Sequence, residues 1–107
     1  MKATNELQFI GRVGKGGARV ITESKTPFIS FSLCELNNRN QEKNVWLEVT
    51  QSFKENPPAV VERIKQGAIV LVKGTPYAKT KNSENGVYAQ LAMFADYIEI
   101  LFDAMKD

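Results

Sequence analysis

The sequence predicts an all-β domain of five strands, with one helix between the third and fourth strands. Several segments alternate apolar and polar side chains, which is the period of a strand with one buried face. A segment in mid-chain instead repeats its apolar residues at helical spacing. A glycine inside the first strand is typical of a bulge or a sharp bend. The predicted strands are residues 7–13 with 18–21 as a continuation, 28–34, 44–51, 68–72 and 87–95, and the predicted helix is 57–66.

Length and composition predict one globular domain, residues 1–107. The chain has 107 residues, of which 43% are hydrophobic and 24% charged, which excludes a disordered composition. No apolar run approaches the ~20 residues of a membrane span, and the N-terminus lacks the apolar core of a signal peptide. Cys34 is the single cysteine, so no internal disulfide is expected. These features predict a cytoplasmic protein without a membrane partner.

The charge is unevenly distributed along the chain. The net charge is +2, but residues 1–95 carry 13 Lys and Arg against 8 Asp and Glu. The remaining residues, 96–107, carry one lysine against four acids. The body of the domain is therefore more basic than the total suggests, although this alone does not establish a nucleic-acid partner.

The residue types argue against an enzyme. The sequence contains no histidine and one cysteine, which removes histidine-based acid–base catalysis, His-dependent triads and nearly all zinc sites. The carboxylates are scattered without an obvious catalytic pair. We therefore expect a non-catalytic protein that needs no cofactor and no metal.

Trp46 stands on the polar face of its strand. In the segment 44–51 the alternation places Val45, Leu47 and Val49 on one face, and Trp46 with its polar neighbours on the other. A core tryptophan should lie with the valines. An indole on the open face of a sheet is instead typical of a platform for a flat ligand, with a subunit interface or a barrel cap as the alternative.

Residues 56–67 carry the start and stop signals of a helix. Asn56 is the predicted N-cap, Pro57 the first helical residue and Gly67 the left-handed cap. The resulting order of strand, strand, strand, helix, strand, strand is that of the five-stranded oligonucleotide-binding (OB) Greek-key barrel. An SH3-like barrel would lack the mid-chain helix, and a ferredoxin-like fold would need a second one.

Four stretches resemble the bacterial single-stranded DNA-binding protein family. The likeness lies in the Asn-apolar-Gly-x-Val-Gly pattern of the first strand, an apolar-x-Leu-x pattern in the second, the Trp-x-x-Val pattern in the third, and the Lys-x-Gly pattern that leads into the fourth. Their order and separations fit as well. These stretches are Asn5–Gly14, Phe31–Cys34, Trp46–Val49 followed by Phe53, and Ile64–Gly67 with Val70–Gly74.

The resemblance implies a fold, a mode of binding and an assembly. The family folds as an OB barrel, usually forms homotetramers, and binds DNA with stacking aromatics and basic side chains. By position, Trp46 and Phe53 match two of the stacking aromatics, whereas Arg39 stands where the family often has an aromatic residue. The family continues into a flexible linker with an acidic tip that recruits replication and repair proteins. The sequence ends at Asp107, so we expect a short version without that tail.

Aromatic and basic residues together explain how such a domain would bind unpaired strands. Stacking a base on an aromatic ring contributes roughly 1–3 kcal/mol and tolerates any base. Glu48, next to Trp46, opposes phosphate binding at that position. The candidate phosphate ligands are Arg12, Lys15, Arg39, Lys43, Lys73, Lys79 and Lys81.

The sequence therefore predicts a protein that binds single-stranded DNA without strong sequence preference. The expected processes are DNA replication, repair, recombination or transfer, with a homo-oligomer (dimer or tetramer) and replication proteins as further partners. Two alternatives stay open. One is an OB-fold module for protein–protein assembly or a primosomal-type accessory module with little nucleic-acid affinity. The other is an enzyme with a nuclease-like barrel.

Overall fold

The computed structural model describes residues 6–36, 45–84 and 86–105 as a mostly-β domain. Six strands and a short 3₁₀ helix are present in this part of the chain. None of its helices is long and apolar enough to cross a membrane. The elements are β1 (Leu7–Val13), β2 (Arg19–Ile21), β3 (Phe28–Glu35), β4 (Trp46–Ser52), the 3₁₀ helix (Ala59–Arg63), β5 (Ile69–Ser83) and β6 (Gly86–Phe102).

Strand pairing returns to its starting point. β1 pairs with β3, β3 with β4, β4 with β6, β6 with β5 and β5 again with β1. The β4–β6 pairing is parallel and the others are antiparallel. β2 pairs with β3 outside this circuit. The inner face of the circuit holds the apolar core.

Gly11 lies where β1 changes partners. β1 pairs with β5 through residues 7–12 and with β3 through residues 11–13. A Cβ at Gly11 would lie 2.7 Å from the carbonyl oxygen of Cys34, so a larger residue would push β1 and β3 apart. The interpretation of this glycine as a bend in the first strand agrees with this arrangement.

The alternating segments bury the side chains that the sequence assigns to the core. Ile29, Leu33, Leu47 and Val49 have no exposed surface, and Phe31 is 3% exposed.

Val45 is the exception to this core assignment. It precedes β4 and is 40% exposed, so its assignment to the core was wrong.

The structure has six strands rather than the predicted five. The segment that was predicted to continue the first strand is a separate strand, β2. Gly16 and Gly17 have φ angles of 93° and 61°, which lie outside the extended region and turn the chain between β1 and β2.

The predicted ten-residue helix is a five-residue 3₁₀ helix. Pro58, not Asn56, is the N-cap, with ψ of 145° and no side-chain cap. The physical reason is the Pro57–Pro58 pair, because a proline disfavours the helical conformation of the residue before it. Gly67 does have the predicted positive φ, at 95°.

The last two strands are much longer than predicted. β5 continues through residues 79–83, which the sequence interpretation placed in a hairpin loop, and β6 has 17 residues. The polar side chains of residues 79–83 are compatible with a strand because β5 and β6 pair with each other beyond the edge of the core. Pro76 lies past Gly74, where the β1 pairing has ended, so its missing N–H interrupts no β1–β5 hydrogen bond.

Candidate nucleic-acid interface

Trp46 begins β4 and its indole faces outward. Its side chain is 46% exposed, and its backbone partner on β3 is Cys34. A Cβ at Gly14 would lie 2.9 Å from Cζ3 of the indole and 2.6 Å from Oγ of Ser32. The edge of the ring therefore rests on the backbone of Gly14, while nearly half of the side chain is open to solvent. The outward orientation that the strand alternation predicts is present.

A basic groove of about 480 Å³ runs beside the indole. Its charged lining consists of Lys15, Arg19 and Lys81 with one acid, Glu48. The glycine turn after β1, the serines of β3, Phe31 and Gln90 complete the wall. Three cations against one carboxylate beside an exposed indole give a surface that attracts an anion with flat substituents.

Glu48 forms ion pairs with two lysines of β5 at the centre of this surface. Nζ of Lys79 lies 3.0 Å from Oε1 of Glu48, and Nζ of Lys81 lies 3.5 Å from Oε2. Burial tends to raise the pKa of Glu48, but the hydrogen bond from Lys79 and the charges of both lysines outweigh it, so the pKa lies below its ordinary value. Glu48 is therefore ionised at neutral pH and partly neutralises the two lysines.

A second groove of about 490 Å³ continues the first one. Both grooves are lined by Ser30 and Glu48, so they form one surface across β3, β4, β5 and β6. The second groove contains two stacked rings, Tyr77 of β5 and Phe94 of β6, with centroids 4.4 Å apart and planes inclined by 17°. We call the two together the outer face.

Gln90 of β6 hydrogen-bonds to the backbone of β4 next to the indole. Its Nε2 donates to the carbonyl oxygen of Trp46 at 3.0 Å and to that of Leu91 at 3.2 Å. Gln90 also lines the basic groove. The backbone that carries Trp46 is thus held by a side chain from the neighbouring strand.

Four of the predicted site residues meet on the outer face. Trp46, Lys15 and Lys81 line the first groove, and Lys79 lines the second. Arg39 and Lys43 lie outside the described residues.

Phe53 lies away from Trp46. It follows the far end of β4, seven residues or roughly 23 Å of strand from the indole, and it packs half-buried against the core. Its role as a stacking residue, which the family resemblance implies, stays a prediction.

Arg12 and Lys73 also lie elsewhere. Arg12 lines a separate groove of about 770 Å³ with Phe102 and Met105. Nζ of Lys73 lies 5.4 Å from the ring centroid of Tyr97, in cation–π contact.

Sequence reasoning missed Arg19, Gln90 and the Tyr77–Phe94 pair. Tyr77 shares an alternating face with Lys79 and Lys81, and that period was a usable signal once the strand was known to continue. Phe94 alternates with Gln90 and Asp96 on one face of β6, but its stacking partner lies on another strand, so no local period predicts the pair.

The described residues contain no cluster of three or more His, Cys, Asp or Glu side chains that could hold a metal ion.

Comparison with known proteins gives matches among solved structures. No protein-family profile matches the chain, and no curated protein matches significantly. The mitochondrial single-stranded DNA-binding protein Rim1 of S. cerevisiae gives a TM-score of 0.67 at 18% identity, over 94% of this chain and 97% of that chain. A selenomethionine-labelled structure of Rim1 gives 0.62 at 16% identity, over the same shares.

A small bacterial protein matches in the same way. The small single-stranded DNA-binding protein from Streptomyces coelicolor gives a TM-score of 0.70 at 14% identity, over 90% of this chain and 93% of that chain. At these identities the likeness shows the fold. This chain has the fold of single-stranded DNA-binding proteins, and the resemblance stated from the sequence is confirmed at that level.

Proposed function

We propose that this protein binds single-stranded DNA on its outer face, with little sequence preference. The observation that carries the proposal is the exposed indole of Trp46 beside a groove lined by Lys15, Arg19 and Lys81. The indole offers a flat apolar surface to an unpaired base, and the cations offer partners to the phosphates on either side. Serine and glycine walls leave the groove open to a strand of any sequence.

The proposal includes the architecture. The closed circuit of β1, β3, β4, β6 and β5 supports a five-stranded OB barrel, to which β2 is an addition on β3. The neighbours with this fold are described as single-stranded DNA-binding proteins, which supports a binding role rather than catalysis. We expect no cleavage of labelled DNA in the presence of magnesium or calcium.

Assembly into a homo-oligomer is a further part of the proposal. Large apolar side chains are exposed on β1 and along β6, at positions away from the two grooves. A second copy of the chain would cover them. Sedimentation is expected to give a dimer or tetramer, and a 12 kDa species alone at micromolar concentration would refute assembly. These side chains are Ile10 (40% exposed), Tyr97 (45%), Leu101 (37%) and Phe102 (69%).

The proposed setting is the cytoplasm, in DNA replication, repair, recombination or transfer, where unpaired strands need protection. Replication proteins are the proposed further partners. The competing function is a protein–protein assembly module, which the exposed apolar residues of β6 favour. The two functions differ in whether any single strand binds at low salt.

A fluorescence titration tests DNA binding directly. Trp46 is the sole tryptophan, so its emission reports on the groove alone. Oligo-dT at low salt is expected to quench the emission, and added salt is expected to reverse it. No quenching by oligo-dT, oligo-dA or oligo-dC at low salt would refute the proposal.

Two substitutions separate stacking from charge. Trp46→Ala is expected to weaken binding of a labelled oligonucleotide by about 1–3 kcal/mol, with Trp46→Phe intermediate. Lys81→Ala is expected to flatten the salt dependence by about 0.7 of a log unit per log unit, the value for one single-strand phosphate contact. Lys65→Ala removes an exposed lysine that lines neither groove and is the charge-matched control. Equal effects of the two lysine substitutions would contradict a localised site.

A further inference from the structure

The Tyr77–Phe94 pair has the geometry of a second aromatic platform. Phe94 is 56% exposed although it belongs to the central part of β6. Tyr77, half-buried, stacks on one face of the Phe94 ring at 4.4 Å. The two residues are diagonal neighbours across β5 and β6, since Phe94 pairs with Thr75. One face of the Phe94 ring is thus covered by Tyr77, while more than half of the residue stays exposed.

This platform lies on the same surface as Trp46 and in line with it. Phe94 is the backbone partner of Thr50 on β4, four residues beyond Trp46. That separation is about 13 Å along the strand, roughly the length of four stacked nucleotides. Between the two lie Glu48 and its backbone partner Ala92, a small residue that leaves the path open above it. A single strand lying on Trp46 can therefore reach Phe94 without leaving the surface.

The charges around the second platform favour a base over a phosphate. The groove that contains the two rings is lined by one cation, Lys79, and two acids, Glu48 and Asp96. Carboxylates repel phosphates but accept hydrogen bonds from the amino groups of bases. The phosphates would then run on the side of Lys79, with the base turned toward the rings.

We propose that Phe94, supported by Tyr77, is a second stacking site for an unpaired base of the strand that stacks on Trp46. The inference rests on the proposed function and extends it from one aromatic contact to two, separated by the ion-paired Glu48. The strand crosses the outer face from the glycine turn after β1 to the β5–β6 bulge, where the register shifts between Lys73 and Gly74.

The test compares short and long oligonucleotides through the emission of Trp46. A dinucleotide of dT has a single internucleotide step and cannot span both platforms, whereas an oligo-dT of about ten nucleotides can. Phe94→Ala is expected to leave the affinity of the short oligomer unchanged and to weaken the long one roughly 5- to 150-fold. Phe94→Tyr keeps a ring and is expected to retain the affinity of the wild-type protein. Equal affinity of wild type and Phe94→Ala for the long oligomer would overturn the inference.

The control is Met105→Ala, which removes an exposed apolar side chain (93% exposed) that lines neither of the two grooves and lies in the groove of Arg12. It is expected to change neither affinity. If loss of Phe94 disturbed packing on Tyr77, Phe94→Leu would preserve an apolar contact without the flat ring, and its weakened binding at unchanged melting temperature would support stacking. If Phe94→Ala changed the oligomeric state but not the DNA affinity, the platform would belong to an interface between copies, and the inference would be overturned.

Failure of this inference can be distinguished from failure of the proposed function. If wild-type Trp46 is quenched by both oligomers and Phe94→Ala behaves as wild type, the second site is wrong and DNA binding stands. If the wild-type protein shows no quenching with either oligomer, the proposed DNA-binding function is refuted, and the second stacking site is refuted as well.

Discussion

Removing the charge of Glu48 should strengthen DNA binding while it weakens the fold. Glu48 holds Lys79 at 3.0 Å and Lys81 at 3.5 Å, and a phosphate has to replace it at each lysine. In Glu48→Gln both ammonium groups are free before DNA arrives. The substitution also removes the repulsion between the carboxylate and the incoming phosphates.

The expected magnitude follows from the exposure of the two ion pairs. The lysine side chains are 45% and 41% exposed and that of Glu48 is 21% exposed. Pairs of this kind contribute about 0.2–1 kcal/mol each. Releasing both should therefore raise affinity by about 2- to 30-fold, the equivalent of about 0.4–2 kcal/mol. The groove gains one positive charge, so the salt dependence should steepen by about 0.7 of a log unit per log unit.

The assay is binding of labelled oligo-dT over a salt series, together with thermal unfolding. Glu62→Gln, on the exposed face of the 3₁₀ helix, makes the same change in net charge away from the grooves and is the control. Glu48→Gln should bind more tightly than Glu62→Gln and melt at a slightly lower temperature. Affinity of Glu48→Gln equal to or below that of the control would refute the reasoning.

Three other expectations follow from the packing and charges of the domain. Gly14→Ala should destabilise the fold by about 1–3 kcal/mol and shift the emission of Trp46, because the new Cβ would lie 2.9 Å from the indole; unchanged emission would contradict the packing. Gly74→Ala should lower the free energy of unfolding by about 2–4 kcal/mol in denaturant, because its Cβ would clash with the carbonyl oxygen of Phe94. A smaller loss of stability than in Gly14→Ala would contradict this close approach of β5 and β6. DNA affinity should be flat between about pH 5 and 8, because the chain has no histidine and the pKa of Glu48 lies below its ordinary value of 4.5; a sigmoidal change in that window would argue against it.

The lowered pKa of Glu48 also predicts how its contribution to stability changes in acid. Because the folded-state pKa of Glu48 is below its unfolded value, the stabilisation is complete above the unfolded value and is lost as pH falls through the folded one. The difference in stability between wild type and Glu48→Gln should therefore disappear in acid. This result is read from the same unfolding experiment at lower pH.

Local alternation was sufficient to predict which strand faces are buried and that Trp46 points outward. Ile29, Phe31 and Leu33 alternate with small polar residues, and such a period leaves one choice of inner face. The same period placed Trp46 outside. The helix was overestimated because apolar spacing was given more weight than the consecutive prolines 57 and 58, whose restriction of the backbone prevailed.

The site was only partly readable, because it is assembled from separate strands. Lys81 and Trp46 line one groove although they are 35 positions apart, and Tyr77 meets Phe94 through a bulged antiparallel pairing. No local period encodes those meetings. Phe53 was assigned from the family resemblance, and only the tertiary structure shows that it packs half-buried against the core.

The sequence by itself determined the strand faces, the exposed indole, the absence of histidine chemistry and the basic character of the body. Those properties depend on residue type and on a period of two, and both are local. The tertiary structure alone decided which cations share a groove with the indole, that Glu48 restrains two of them, and that Phe94 stands in line with Trp46. Those properties depend on strand register and on the closure of the circuit, which long-range pairing sets.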